Sequence, residues 1–421
     1  MTEITINLKK ILKNWALLAL IIIFLFSFYI RTSNFHYDYL LNIDSYWQYR
    51  YMKYIVEQKV PELELNTSSG LIVADFEKQE TKIDSLMEAP NGRFLALSFY
   101  HYLGAYSYLF FRLFFSNLEL WQFLVYFPAI LASLAAIPAY YLGKLIYDKK
   151  AGILTAFFVV FNPAIFARSL GGDPDTDAIV ILLPLIIMAL FFFAYKNISK
   201  GTIKKILPNT KVILFSVLTG VALVILVHTW IHWHIFYLIT GFVIFRILIE
   251  FIITALKRDS LKNSFYKALP LIFSYFIFLT TIILLTLPTH GPNFIFSTIY
   301  APVSAVTELK AEVGENPNVY VSVAEMMTGG DIKDIAQRTG VAFFFLTFVC
   351  CLPYLIGTYI KKQKHLSTMI LILLWILGPL YASMVAVRFT ILLAVPLCLA
   401  SGIILSKAWR MILGEDKELF E

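Results

Sequence analysis

The chain has 421 residues, of which 59% are apolar and only 15% charged, and it carries a net charge of +7. Soluble domains carry about 25% charged residues, so a soluble globular fold is excluded over most of the length. The basic excess is not a nucleic-acid signal either: lysines and arginines fall mainly in short gaps between apolar runs, where they report membrane orientation.

Apolar runs near the roughly 20 residues that cross a bilayer recur along the chain. Spans are expected at about 15–31, 120–142, 151–170, 177–196, 211–229, 234–255, 268–288, 341–360, 366–386 and 389–409. The alternation of a membrane β-barrel is absent. The expected fold class is therefore all-α, a polytopic bundle of membrane helices. The first run follows Lys9, Lys10 and Lys13 like a signal peptide, but no small-residue cleavage site follows. An uncleaved first helix is expected. Cys350, Cys351 and Cys398 lie inside apolar runs and read as core residues.

With the N-terminus in the cytoplasm, the basic clusters fall inside. They are Lys149–Lys150, the gaps 196–211 and 257–267, the group Lys361, Lys362 and Lys364, and a cytoplasmic tail at 407–421. The run from Phe94 to Phe115 is left out of the spans, because counting it would place Lys149 and Lys150 outside. Its tyrosines, His101 and Arg112 suit an interfacial or partly buried stretch. One transmembrane catalytic domain over 1–421 is expected, with outer loops at 31–119 and 289–340 and a short acidic outer loop at 171–177.

The acidic loop holds Asp173, Asp175 and Asp177 in five positions. A helix N-cap accounts for one such aspartate, not for three. Carboxylates this close repel one another and invite a divalent cation, and Mg²⁺ and Mn²⁺ take oxygen ligands together with substrate phosphates. Asp44 stands just after the first span, in Asn42-Ile43-Asp44, ahead of an aromatic run ending at Arg50. Taken alone it reads as an N-cap. The third loop offers Ser322-Val323-Ala324-Glu325, an upstream near-copy ending at Glu308, and Arg338. Arg388 lies at an outer span end, where the positive-inside bias disfavours it. It reads either as a snorkelling side chain or as a guanidinium clamp for phosphate. Together these residues suit a transfer reaction from a lipid-borne phosphate or diphosphate.

At this point the chain resembles the oligosaccharyltransferase catalytic subunit family. Asn42-Ile43-Asp44 with Tyr46 to Arg50 matches its first acidic motif. Arg168-Ser169-Leu170-Gly171 followed by Asp175-Thr176-Asp177 matches its second, and Ser322-Val323-Ala324-Glu325 its late-loop motif. Arg388-Phe389-Thr390-Ile391 matches a segment whose arginine contacts the lipid pyrophosphate. The resemblance implies a glycosyltransferase of the GT-C type. It would move a glycan from a polyprenyl or dolichyl phosphate or diphosphate, the lipid-linked oligosaccharide, to an asparagine of an acceptor polypeptide.

Mn²⁺ or Mg²⁺ is the implied cofactor, with Asp44, Asp175, Asp177 and Glu325 as metal residues. Asp44 and Glu325 would act on the acceptor amide, Arg388 on the donor phosphate and Arg338 on the acceptor, with Glu308 the fallback for Glu325. Asp173 reads as a loop residue. The implied place is the cell membrane of an archaeon or bacterium, with the active face outside. The family's Trp-Trp-Asp-Tyr-Gly motif has no counterpart; Trp230-Ile231-His232-Trp233 does not match it. A separate soluble domain or subunit is one expectation from that difference. Others are another polyprenyl-phosphate-sugar glycosyltransferase with a lipid or Ser/Thr acceptor, and a non-catalytic paralogue or subunit that needs a separate soluble partner. A transporter is disfavoured, because its charges would lie near the bilayer midplane.

Overall fold

The computed structural model describes residues 15–33, 35–59, 83–84, 93–94, 97–198, 209–229, 234–258, 260–308, 329–362 and 364–414. Two compact units divide it: Phe35–Pro128 with Gly171–Thr176, and Met1–Asn34 with Ala129–Leu170 and Asp177–Glu421. Glu325 and its motif lie outside the described residues, as do Trp230 to Trp233 and 415–421.

The larger unit is helical. Its helices include α1 (Trp15–Thr32), α5 (Ala136–Ile146), α6 (Lys149–Phe161), α7 (Pro163–Phe166) and α8 (Asp177–Ile198). They continue with α9 (Thr210–Thr229), α10 (His234–Leu256), α11 (Leu261–Glu308), α12 (Ile332–Thr339), α13 (Val341–Lys362), α14 (Leu366–Val385) and α15 (Thr390–Ile412). Among the described residues, nine helices are long and apolar enough to cross a bilayer. Proline sits inside several of them, at Pro184, Pro353, Pro379 and Pro396. Membrane helices tolerate it because neighbours satisfy the freed backbone groups. The stretches Val387–Ile412 and Asp177–Ile198 are the most enclosed of these spans and so form this unit's centre.

The span expected at 151–170 is divided. Pro163 has no N–H to continue the ladder, and Asn162 is extended at φ −63°, ψ 130°. The Asn162 Oδ1 accepts the Ala164 N–H at 3.0 Å and its Nδ2 donates to the Thr339 carbonyl at 2.7 Å. The break is thus stitched to the end of α12. Helices α5 and α6 meet closely at Gly152, where a Cβ would lie 2.6 Å from the Tyr140 carbonyl oxygen. Small residues permit such approach in membrane bundles. Asp148 caps α6 by accepting the Ala151 N–H at 2.7 Å, and it also takes bonds from Ser406 and Arg410 of α15. Helix α11 turns at Gly291, whose φ of +70° a side chain would resist.

The smaller unit holds α2 (Ile43–Lys59), a two-residue ladder pairing Ile83 with Phe94 and Asp84 with Arg93, and α3 (Phe99–Arg112). Helix α4 (Leu120–Leu134) enters it as far as Pro128. The ladder is the one departure from an all-helical class among the described residues. Helix α3 spans about 21 Å, short of the roughly 30 Å hydrocarbon core, in keeping with its omission from the spans. Its buried face, Tyr100, His101, Gly104, Ala105 and Tyr108, packs on α2. The Ser98 N–H donates to His101 Nδ1 at 2.8 Å, and burial pushes the imidazole down to about 4.

Candidate active-site residues

In the smaller unit the two acidic segments, far apart in sequence, are bonded together. Asp44 lies in the first turn of α2 rather than at its cap, where a carboxylate complements the helix dipole. Its neighbour Ser45 is buried, and the Ser45 hydroxyl donates to Asp173 Oδ1 at 2.8 Å. The Leu41 N–H donates to the Gly172 carbonyl at 2.9 Å, and the Gly172 N–H donates to Val125 O at 2.9 Å. Gly172 has φ +88°, and a Cβ there would sit 2.1 Å from the Phe35 ring; only glycine lets the segment lie this close. Asp173 is therefore more than a loop residue: it is the acceptor that joins the two motifs.

Asp175 follows in the same segment. Its Oδ1 accepts the Thr176 N–H at 2.6 Å and the Thr176 hydroxyl at 3.3 Å. Asp175 is half-buried and Asp44 exposed. Neither carboxylate has an ion-pair partner among the described residues. Two such hard oxygen donors fit Mg²⁺ or Mn²⁺, which bind through one or two carboxylates plus substrate phosphates. No group of three or more His, Cys, Asp or Glu side chains suited to a metal occurs among the described residues. The third expected ligand, Glu325, lies outside them. Glu308 closes α11, and its side chain is likewise outside.

In the larger unit Asp177 opens α8 and is 5% exposed. Arg168 Nη1 lies 3.5 Å from its Oδ2, and Arg388 Nη2 lies 4.0 Å from its Oδ1. Arg388 stands on a 3₁₀ turn, Val387–Phe389. Both guanidiniums are about a third exposed, at 31%. Two guanidiniums thus stand beside one carboxylate at the start of a long helix, and guanidiniums and helix N-termini both favour anions. Arg338 is exposed in the last turn of α12. That helix is held near the end of α14 by the Gly330 N–H, which donates to the Ser383 carbonyl at 3.2 Å.

Arg168 belongs to the second acidic motif, which by itself assigns it no role. Arg31, at the end of the first span, lies in no motif. It is 2% exposed, and its Nε donates to Ser169 Oγ at 2.9 Å while Nη2 donates to Val160 O at 2.6 Å. It thereby fixes the backbone beside Arg168. The signal that marked Arg388, an arginine at an outer span end, marks Arg31 and Arg168 equally.

Residues 15–415 match the family described as oligosaccharyl transferase STT3, N-terminal. A dolichyl-phosphooligosaccharide-protein glycotransferase of Methanococcus voltae is 20% identical over 391 residues, 87% of this chain and 41% of that protein. The archaeal oligosaccharyltransferase AglB from Archaeoglobus fulgidus, solved with an inhibitory peptide and a dolichol-phosphate, superposes with a TM-score of 0.66. Identity there is 17%, over 97% of this chain and 52% of that one. The crystal structure of the Archaeoglobus fulgidus oligosaccharyltransferase in complex with Zn and sulfate gives a TM-score of 0.60 at 18% identity, covering 94% of this chain and 49% of that one. The chain thus spans about half the length of the relatives it matches, and the structural likeness is one of fold. With its bundle of apolar helices, the chain is an integral, multi-pass membrane protein that belongs to the oligosaccharyltransferase STT3 family.

Proposed function

We propose that this chain carries the transferase core of an oligosaccharyltransferase, passing a glycan from a dolichyl or polyprenyl phosphate or diphosphate to an acceptor asparagine. The observation that carries the reading is the Ser45–Asp173 bond, which joins the two acidic motifs in a chain of this family. Asp44 and Asp175, with Glu325, are the proposed holders of Mn²⁺ or Mg²⁺. Such an ion, when bound, supplies the positive charge that draws carboxylates from separate loops together. Asp177 is assigned to the arginines as their counter-ion rather than to the metal, because each of its oxygens faces a guanidinium.

An acceptor amide is a poor nucleophile, since its nitrogen lone pair is conjugated to the carbonyl. Asp44 and Glu325 accept hydrogen bonds from the two amide N–H groups, which favours loss of that conjugation. The nitrogen forms its bond to the sugar C1 with inversion as the C1–O bond breaks. The electron pair leaves on the phosphate oxygen, and one amide proton passes to a carboxylate. Arg388 and Arg168 hold the departing phosphate. Neighbouring folds have been solved with a dolichol-phosphate and with sulfate, ligands of the same oxyanion class. Arg338 is assigned to the acceptor. The reaction is placed on the outer face, with sequon reading left to a separate soluble domain or subunit.

The test is transfer from a dolichyl-linked oligosaccharide to an Asn-X-Thr peptide with Mn²⁺, for the unaltered chain and for Asp175→Ala and Glu325→Ala. Loss in both variants is expected. Undiminished transfer in both would remove the assignment of the carboxylates.

A further inference from the structure

A second polar place lies at the other end of α8. A cavity of about 410 Å³ is bounded by the ends of α5, α8, α13 and α14 and by one face of α10. Lys196, in the last turn of α8, lies about 28 Å along that helix from Asp177 at 1.5 Å per residue. The charge bias assigns this end to the cytoplasm. The cavity shares no residue with the acidic segments or with the arginines around Asp177.

Its lining carries three cations, Lys196, Arg246 and Lys257, against one carboxylate, Glu250. Arg246 and Glu250 lie inside the apolar helix α10, where ionisable residues are costly and mark ligand sites. Arg246 is held in place: Nη1 pairs with Glu250 at 2.9 Å and Nε donates to the Tyr195 hydroxyl at 3.2 Å. Tyr195 in turn shares a 2.6 Å hydrogen bond with Ser367. Arg246 Nη2 makes no hydrogen bond among the described residues. A fixed guanidinium with unspent donors, flanked by two exposed lysines, suits a phosphate oxygen. Beside it, α10 exposes an apolar stripe of Ile244, Phe245, Leu248, Ile252 and Leu256.

We infer that this cavity binds the phosphate of an anionic phospholipid from the cytoplasmic leaflet, with the acyl chains lying along the α10 stripe. Basic recesses between membrane helices on that side take such headgroups. Free inorganic phosphate shares the headgroup's chemistry but gains nothing from the stripe.

Native mass spectrometry of the purified chain in detergent tests this, with dioleoylphosphatidylglycerol, dioleoylphosphatidylcholine or sodium phosphate added separately. Phosphatidylglycerol is expected to be retained in preference to phosphatidylcholine. Retention should fall about fivefold in Lys257→Gln and at least as far in Arg246→Gln, and rise about fivefold in Glu250→Gln. Lys257 is exposed, so a response there does not depend on refolding, and the rise in Glu250→Gln is one that loss of structure would not produce. Retention of inorganic phosphate with the same three responses supports the phosphate site with a soluble source. Equal retention of the two lipids, retention of none of the three probes, or indifference to all three substitutions overturns it.

Discussion

The acidic segment 171–176 and the first turn of α8 are consecutive in the chain, yet their carboxylates live in opposite surroundings. Asp173 and Asp175 accept bonds from neutral donors, the Ser45 hydroxyl and the Thr176 N–H. Asp177 meets two guanidiniums, at 3.5 and 4.0 Å. Spacing alone makes the three aspartates one cluster. Their partners divide it: Asp175 has no ion pair among the described residues, whereas Asp177 lies near two guanidiniums. A carboxylate with no ion pair, such as Asp175, seeks a cation, whereas arginines beside a carboxylate can also hold an anion. Under the proposed roles, the Asp-x-Asp pattern joins a metal-holding carboxylate, Asp175, to one that faces arginines, Asp177.

The largest effect that separates the two is on transfer. Asp175→Ala should lower the rate about 10³-fold, equivalent to about 4 kcal/mol of transition-state stabilisation. Its melting temperature should stay within a degree or two, since among the described residues the Asp175 side chain bonds only to its own neighbour Thr176. Excess Mn²⁺ should recover part of the rate in Asp175→Asn and none in Asp175→Ala. A large stability loss with unchanged metal response would reverse the roles assigned to the two aspartates.

Asp177→Ala should do the opposite. Removing a 5% exposed carboxylate takes a counter-charge from both guanidiniums. Breaking a buried pair this way costs about 3 kcal/mol, at the low end because the arginines keep some solvent. Thermal unfolding in detergent reads it directly. Dolichyl phosphate, an added anion, should restore more stability to Asp177→Ala than to the unaltered chain. Equal stabilisation of both would mean that the arginines do not bind the donor.

Much of this was legible in the sequence, and the limits have physical causes. Helix positions followed from apolar run length. The exclusion of Phe94–Phe115 followed from charge bias, and the 14-residue α3 agrees with it. The divided span was missed although Pro163 announced it, because hydropathy averages across a helix break. Asp44 and Asp175 stood out as acids at span ends. What spacing does not carry is which charge an acid meets through space. Asp177 acquires Arg388 from a turn near the other end of the chain, and Arg31 acquires Ser169 by being fully enclosed. Glu325 lies outside the described residues, so its part in the site rests on the motif alone.

A third prediction asks whether the smaller unit can be opened without touching the arginines. His101 is 3% exposed, its ring 5.0 Å from that of Tyr51 on α2, and burial holds it down to about 4 from an ordinary 6.5. Between those values the opened state takes up a proton that the packed state refuses. Stability is therefore full above pH 6.5 and falls as pH drops toward 4, by about 3 kcal/mol at the bottom of that window. Hydrogen exchange along α2 and α3 at pH 7 and pH 4.5 measures the change. His101→Gln keeps an acceptor three residues after Ser98, as a capping box requires, and should flatten the response. Acid protection equal to that at neutral pH in the unaltered chain would show that His101 is not the sensitive group.

The smallest expected effect is the most specific to the comparison. Ser45→Ala removes one hydrogen bond to Asp173 and should cost about 1 kcal/mol of stability. If that bond does no more than add stability, transfer should be nearly unchanged. If it sets Asp44 beside the Asp173–Asp175 segment, the loss should appear as weaker Mn²⁺ activation, with donor binding through Arg388 unaffected. Raising Mn²⁺ should then restore the rate in Ser45→Ala, because a bound cation can draw the two segments together without the serine. A Mn²⁺ requirement identical to that of the unaltered chain would confine Ser45 and Asp173 to local packing. The two acidic motifs would then need another tether, and the Leu41 N–H bond to Gly172 is one candidate.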